Sequence, residues 1–265
     1  MNDKVTLEHT ETWSCYSEEM GDTYDISVSL PKSPSPEEGY PVLYVLDGNA
    51  YFQFARDAIR LQSKNAPKTF VKAAIVVGIG HPGEDEEVSK RRFYDFTAPA
   101  KAYHYPERLK RLNVEREHGG ALKFLTFLET RLKPEIERRY RVDERKQALY
   151  GHSLSGLFTL FTLFTKPTAF QTYLTISPSI WWNDYELLHY MEQFLERMEK
   201  NGVQRLFIAV GEQERFMVDD AKRLVERLEA AQLENLECTF YCAPEENHAS
   251  VVPTTMSRAI RFTNQ

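Results

Sequence analysis

Ala148-Leu149-Tyr150-Gly151-His152-Ser153-Leu154-Ser155-Gly156 is the stretch on which the reading of this chain turns. Residues 147–150 form a short strand-like run, and residues 154–164 form an apolar run long enough for a helix. A serine on a sharp strand-to-helix turn has its Oγ exposed, and small neighbours let strand and helix approach closely. That context makes Ser153 a candidate nucleophile. The alternative is that Ser153 only caps the helix. Ser155 stands where this kind of turn more usually has glycine, and Gly156 follows at once.

Outward from that turn, buried strands are expected at residues 42–46, 73–79 and 206–210, and further strands at 172–176 and 236–241. Helices are expected at 51–62, 122–140, 185–200, 218–232 and 251–262. In the second of these, Leu122, Leu125, Leu128, Leu132 and Ile136 share one face, and Pro134 is expected to kink it. Gly202 stands in the stop position of the third. Residues 24–30 alternate apolar and polar, and an earlier strand near residues 5–13 could pair with them as a hairpin. Residues 31–41 read as a surface loop. Residues 81–116 have no clear period and read as a long substrate loop or lid. Strands alternating with helices imply an α/β fold, a mostly parallel sheet with helices on both faces and an antiparallel N-terminal edge. One domain over residues 1–265 accommodates it, and sites on such a sheet form at the carboxyl ends of the strands.

A serine hydroxyl needs a base to take its proton. On an α/β-hydrolase fold the order is serine, acid, histidine. His189 falls inside an expected helix and reads as structural. His248 lies in a polar loop between the last strand and the last helix, where the base belongs. The acid should follow the strand at 206–210; Glu214 is the first choice and Glu212 the rival, with a Ser–His pair alone as the remaining option. The oxyanion needs two backbone N–H donors. Leu154 is expected to give one and the turn at Gly48 and Asn49 the other, unless Gly48 serves only the turn.

Composition narrows the class. The 265 residues include 42% hydrophobic and 27% charged residues, enough for a globular core. No apolar run reaches the ~18 residues of a membrane helix, and the first ten residues lack the apolar core of an export signal. A net charge of −6 argues against a nucleic-acid binder. Cys15, Cys238 and Cys242 make no zinc pattern and suit a reducing cytoplasm, with Cys238 and Cys242 read as core filler on one strand face. Residues 90–116 hold eight basic residues (Lys90, Arg91, Arg92, Lys101, Arg108, Lys110, Arg111, Arg116) against three acidic ones. The segment is thus +5 and the rest of the chain −11. It reads either as a solvated basic surface or as a positive mouth for an anionic substrate.

Five segments together resemble a known family: Val45-Leu46-Asp47-Gly48-Asn49, Arg91-Arg92-Phe93-Tyr94-Asp95-Phe96-Thr97, Gly151-His152-Ser153, Ser177-Pro178-Ser179-Ile180-Trp181-Trp182 and Asn247-His248-Ala249-Ser250. They look like the esterase D-like α/β-hydrolases, and within these the siderophore trilactone esterases acting on enterobactin, salmochelin or bacillibactin. The resemblance runs over residues 12–262. It implies an α/β-hydrolase fold, a Ser–His pair with or without an acid, no metal or organic cofactor, and a small-molecule ester substrate, with any iron belonging to the substrate. The single-domain cytoplasmic members are the most similar. On that reading Arg91 or Arg92 would pair with catecholate oxygens, or else bridge Asp95 and the sheet edge. Trp181 or Trp182 would stack on a catechol ring, or else pack in the core. A general carboxylesterase, thioesterase or acyltransferase of the same group is the next reading, and a non-catalytic binding protein the last.

Overall fold

The computed structural model describes residues 6–107, 116–197 and 203–264. In chain order the strands are β1 (Thr10–Ser17), β2 (Asp22–Ser29), β3 (Tyr40–Leu46), β4 (Ile75–Gly80), β5 (Val142–His152), β6 (Thr172–Ile176), β7 (Gln204–Gly211) and β8 (Leu236–Ala243). The helices are α1 (Gly48–Gln62), α2 (Ala66–Thr69), α3 (Asp85–Asp95), α4 (Ala121–Phe127), α5 (Lys133–Arg139), α6 (Leu154–Thr165), α7 (Trp182–Arg197), α8 (Phe216–Ala230) and α9 (Val251–Phe262).

The strands form one sheet in the order β1-β2-β4-β3-β5-β6-β7-β8. β1 and β2 run antiparallel to each other, β2 runs antiparallel to β4, and every pairing from β4 to β8 is parallel. This is the α/β-hydrolase type of sheet. Burial explains the sequence patterns. Along β3, Val42, Tyr44 and Leu46 enter one core cluster while Leu43 and Val45 enter the other. A strand covered on both faces must be apolar throughout. On β2 only Tyr24, Ile26 and Val28 are buried, so it alternates. Helix α6 is buried from Leu154 to Phe164, which is why it is apolar all round.

Several boundaries differ from expectation. The first strand begins at Thr10, later than expected, because its register pairs Thr10 with Ser29 and Ser17 with Asp22. Residues 122–140 are helical but interrupted by a π turn at Leu128–Leu132, just ahead of Pro134. Proline has no N–H to continue the ladder, and a π turn absorbs the defect. Residues 183–185 have left-handed backbone, so α7 becomes regular only beyond Tyr185; Gly202 lies outside the described residues.

The clearest correction concerns residues 81–116. Their first third is helix α3, packed by Phe93 and Asp95, with Phe96, Thr97 and Ala98 buried after it. So few buried positions leave no helical period to read. Residues 108–115, with Arg108, Lys110 and Arg111, lie outside the described residues. Cys238 and Cys242 are half-buried on β8 against the first core cluster, and Cys15 is buried. No helix among the described residues is long and apolar enough to cross a membrane.

Candidate active site

The parallel strands end at one edge of the sheet, and after five of them, β3, β5, β6, β7 and β8, the chain turns through an unusual backbone. Asp47 after β3 (φ 52°), Ser153 after β5 (60°), Ser177 after β6 (45°), Arg215 after β7 (51°) and Glu245 after β8 (63°) all have positive φ. Such conformations cost about 1–3 kcal/mol each in residues with a side chain, and they cluster where geometry is over-determined.

The turn at Ser153 is tight. A Cβ on Gly151 would lie 2.2 Å from the Ser155 carbonyl oxygen, and one on Gly156 would lie 2.9 Å from Thr175 Oγ1. Position 155 is under a different demand, since its hydroxyl donates to Asp47 at 2.6 Å and accepts the His152 N–H at 2.9 Å. Ser155 is therefore used as serine, which accounts for the departure from the usual glycine.

Three side chains stand in series. Ser153 Oγ is 3.0 Å from His248 Nε2, and His248 Nδ1 is 2.5 Å from Glu214 Oε1. A proton on Nδ1 satisfies Glu214 and leaves the Nε2 lone pair to accept from Ser153. Glu214 also accepts from Ser177 Oγ and from the Gly211 N–H. Burial pushes the Glu214 carboxyl up, but the hydrogen bonds from His248, Ser177 and Gly211 outweigh it and hold it below the usual carboxylate range. Glu214 is buried while the His248 side chain is 46% exposed, so the carboxylate is shielded and the imidazole faces solvent.

The rival Glu212 is occupied elsewhere, accepting the Glu245 N–H at 2.9 Å. With the Gln213 N–H donating to the Glu246 carbonyl, it ties the β7 end to the loop that carries His248. His152 fastens that loop from the other side. Its Nε2 is 2.9 Å from the His248 carbonyl, so it must carry the proton, and its Nδ1 accepts from Tyr51 Oη at 2.9 Å. Burial, aided by the neighbouring His248, pushes the His152 imidazole down to about 3, so it stays neutral. His189, by contrast, is exposed on α7, 2.6 Å from Gln193.

Gly48 and Asn49 open α1, and Leu154 opens α6. N–H groups in the first turn of a helix have no partner within the helix. β3 and β5 are adjacent, with Val45 opposite Tyr150, so both helix starts lie at the same level of the sheet edge. Gly48 is also demanded by packing, since a Cβ there would lie 2.7 Å from the Ile79 nitrogen. The Asn49 side chain is held by His81, donating to its carbonyl at 2.8 Å and accepting its N–H at 2.9 Å.

The arginines and tryptophans each carried two readings, and their contacts bear on both. Arg91 binds Asp22 at 2.8 Å and the Thr23 carbonyl at 2.9 Å, over the Tyr24 ring. Arg92 makes a two-pronged ion pair with Asp47, at 2.5 and 2.9 Å. Neither reaches Asp95, which Tyr24 and His81 already bond at 2.8 Å each. Both guanidinium groups are paired with carboxylates of the protein. Trp182 is 1% exposed, stacked on His118 and edge-on to Tyr105, so it is core. Trp181 is partly exposed and remains able to meet a ligand.

Sequence reasoning assigned no role to Ser177, Ser155, Asp47, His152 or Tyr51. Ser177 and Asp47 each follow the last residue of a buried strand, at the edge where polar residues converge; that position was the available signal.

With this geometry in view, similarity to known proteins is decisive. The family described as putative esterase matches residues 17–253. The chain belongs to this esterase family. It is 41% identical to the ferri-bacillibactin esterase BesA of Bacillus subtilis (strain 168) over 262 residues, covering 97% of this chain and 90% of that protein. It is 33% identical to the siderophore enterobactin esterase of Emericella nidulans, covering 90% and 88% of the two chains. The crystal structure of the BES protein from Bacillus cereus superposes with a TM-score of 0.91 at 42% identity, covering 100% of this chain and 99% of that one. This esterase is thus a serine hydrolase acting on carboxylic ester bonds.

Proposed function

We propose that this esterase opens the trilactone of a catecholate siderophore, with its iron bound, using Ser153 as nucleophile, His248 as base and Glu214 as the supporting acid. The observation that carries the residue assignment is the continuous chain from Ser153 Oγ through His248 to Glu214, with links of 3.0 and 2.5 Å. The substrate follows the names of the relatives, a ferri-bacillibactin esterase and an enterobactin esterase. Because Arg91 and Arg92 are engaged internally, the case for an anionic substrate does not rest on them.

On this reading Ser153 Oγ attacks a lactone carbonyl while its proton passes to His248 Nε2. The Leu154 N–H and one from Gly48 or Asn49 receive the developing oxyanion, each worth about 3 kcal/mol of barrier. Glu214 stays ionised and holds the imidazolium. The alcohol of the lactone leaves with the proton from His248. A water then gives a proton to His248 and attacks the acyl-enzyme, and His248 returns that proton to Ser153 Oγ as the acid is freed. Trp181 is the residue we assign to stacking on an aromatic arm of the substrate. Three unpaired cysteines suit a reducing compartment such as the cytoplasm.

The test is incubation with a ferric tricatecholate trilactone, with products resolved by mass and Ser153→Ala as control. Linear fragments from the wild type alone support the reading. No fragments, with a short aryl ester still cleaved, would remove the siderophore as substrate.

A further inference from the structure

Arg92 and Ser155 lie behind the nucleophile, joined through Asp47. Arg92 Nε and Nη2 donate to the two carboxylate oxygens of Asp47 at 2.5 and 2.9 Å. Ser155 Oγ donates to Oδ2 of the same carboxylate at 2.6 Å, and the His152 N–H donates to Ser155 Oγ at 2.9 Å. Asp47 and Ser155 are buried. The Asp47 carbonyl accepts the N–H groups of Ala50 and Tyr51, at 2.9 and 3.1 Å, so the same residue holds the start of α1.

The two ends of this bridge are the two backbone segments assigned above to the oxyanion. One is Asp47-Gly48-Asn49, and Gly48 is already wedged against β4. The other is His152-Ser153-Leu154 at the start of α6. Burying a carboxylate is costly unless it is paired and fully hydrogen-bonded, and here a two-pronged guanidinium and a hydroxyl do both. A bridge of four short bonds transmits position with little slack, because its centre, Asp47 and Ser155, is buried and Arg92 is only partly exposed.

We propose that Arg92 and Ser155 are positioning residues that set the separation of the two oxyanion N–H donors, with Asp47 as the shared anchor. Arg92 thus serves the transition state without touching the substrate. The hydroxyl at position 155 supplies the one link that a glycine there would lack. The proposal rests on the esterase reading of Ser153, and the experiment keeps the two apart.

The test uses a short uncharged aryl ester, so that no substrate charge is available to Arg92. Wild type, Ser155→Gly, Arg92→Lys and the double variant are compared for kcat, KM, pH profile, melting temperature and inhibition by an arylboronic acid, whose tetrahedral adduct occupies the oxyanion site. Ser155→Gly is expected to lower kcat roughly 10- to 100-fold with KM nearly unchanged. Boronate affinity should fall in step with kcat/KM, while the pH midpoint stays in place because His248 and Glu214 are untouched. Arg92→Lys keeps the charge and loses the fork, and is expected to fall short of wild type in the same two readouts. The double variant should lose less than the product of the two single losses, since both cut one chain. Lower melting temperature with unchanged kcat and boronate affinity would overturn the proposal and leave the bridge purely structural. Unchanged kcat and KM on the uncharged ester, with KM raised for Arg92→Lys on a carboxylated analogue assayed beside it, would overturn it in favour of substrate binding by Arg92. Wild type inert towards the ester and unlabelled at Ser153 by a fluorophosphonate would remove the esterase reading and this proposal with it.

Discussion

The front and the back of the site are built differently. In front, His248 is nearly half exposed and Ser153 is partly so, and their mutual contact is 3.0 Å. Behind them, Glu214, Ser177, Asp47 and Ser155 are buried and joined by shorter bonds. On the proposed mechanism the reacting groups must meet solvent and substrate, so they are held lightly. The groups that aim them meet neither, and burial strengthens each of their hydrogen bonds. Chemistry and positioning are thus separated by depth.

Replacing a front residue should destroy activity and spare the fold. Ser153→Ala is expected to lower kcat by about 10⁶, with little change in melting temperature. A large fall in melting temperature would break the distinction between front and back.

Replacing the back carboxylate should cost less activity and more structure. Glu214→Gln is expected to lower kcat by about 10⁴, through loss of the tautomer and charge that support His248. Its pH behaviour carries a sign. Its folded pKa lies below the ordinary value, so its stabilising contribution is full above the ordinary carboxylate range and is lost as pH falls through the depressed value. Acid titration of the melting temperature should show this loss in the wild type and lack it in Glu214→Gln.

The adjacent tryptophans sharpen the same comparison at a second place. Trp182→Ala is expected to destabilise the protein by about 3–5 kcal/mol, measured by denaturant unfolding. Trp181→Ala should leave stability within about 1 kcal/mol, the range of a partly exposed site, and act on KM for aromatic esters. Equal effects on stability would put both in the core.

The smallest effect belongs to His152. It is neutral when folded, with its imidazole pushed down to about 3 from an unfolded value of 6.5. Between these values the unfolded chain binds more protons, so stability is full above 6.5 and declines as the pH falls towards 3. His152→Gln should flatten the melting-temperature profile in that window. An unchanged slope would show that His152 titrates normally.

Legibility followed the range of the cause. The strand, serine and helix around Ser153 are neighbours in the chain, and apolar runs with a glycine-flanked turn are visible without a partner. The polar loop with His248 between β8 and α9 was visible for the same reason. Helix α3 was hidden because it buries only two of its own residues, and the π turn before Pro134 because it leaves the apolar stripe intact.

The sequence by itself determined the alternation of strands and helices, the apolar two-sided strands and the turn that carries Ser153, since these depend on side-chain period and on residues a few places apart. Only the tertiary structure set Glu214 against His248 and Glu212 against the Glu245 N–H, buried Trp182 while leaving Trp181 partly exposed, and paired Arg91 and Arg92 with carboxylates of the protein. Each pair consists of close neighbours of like chemistry. Their directions are set by left-handed turns at the strand ends and by partners such as Asp47 and Asp22, which lie 45 and 69 residues from Arg92 and Arg91 in the chain.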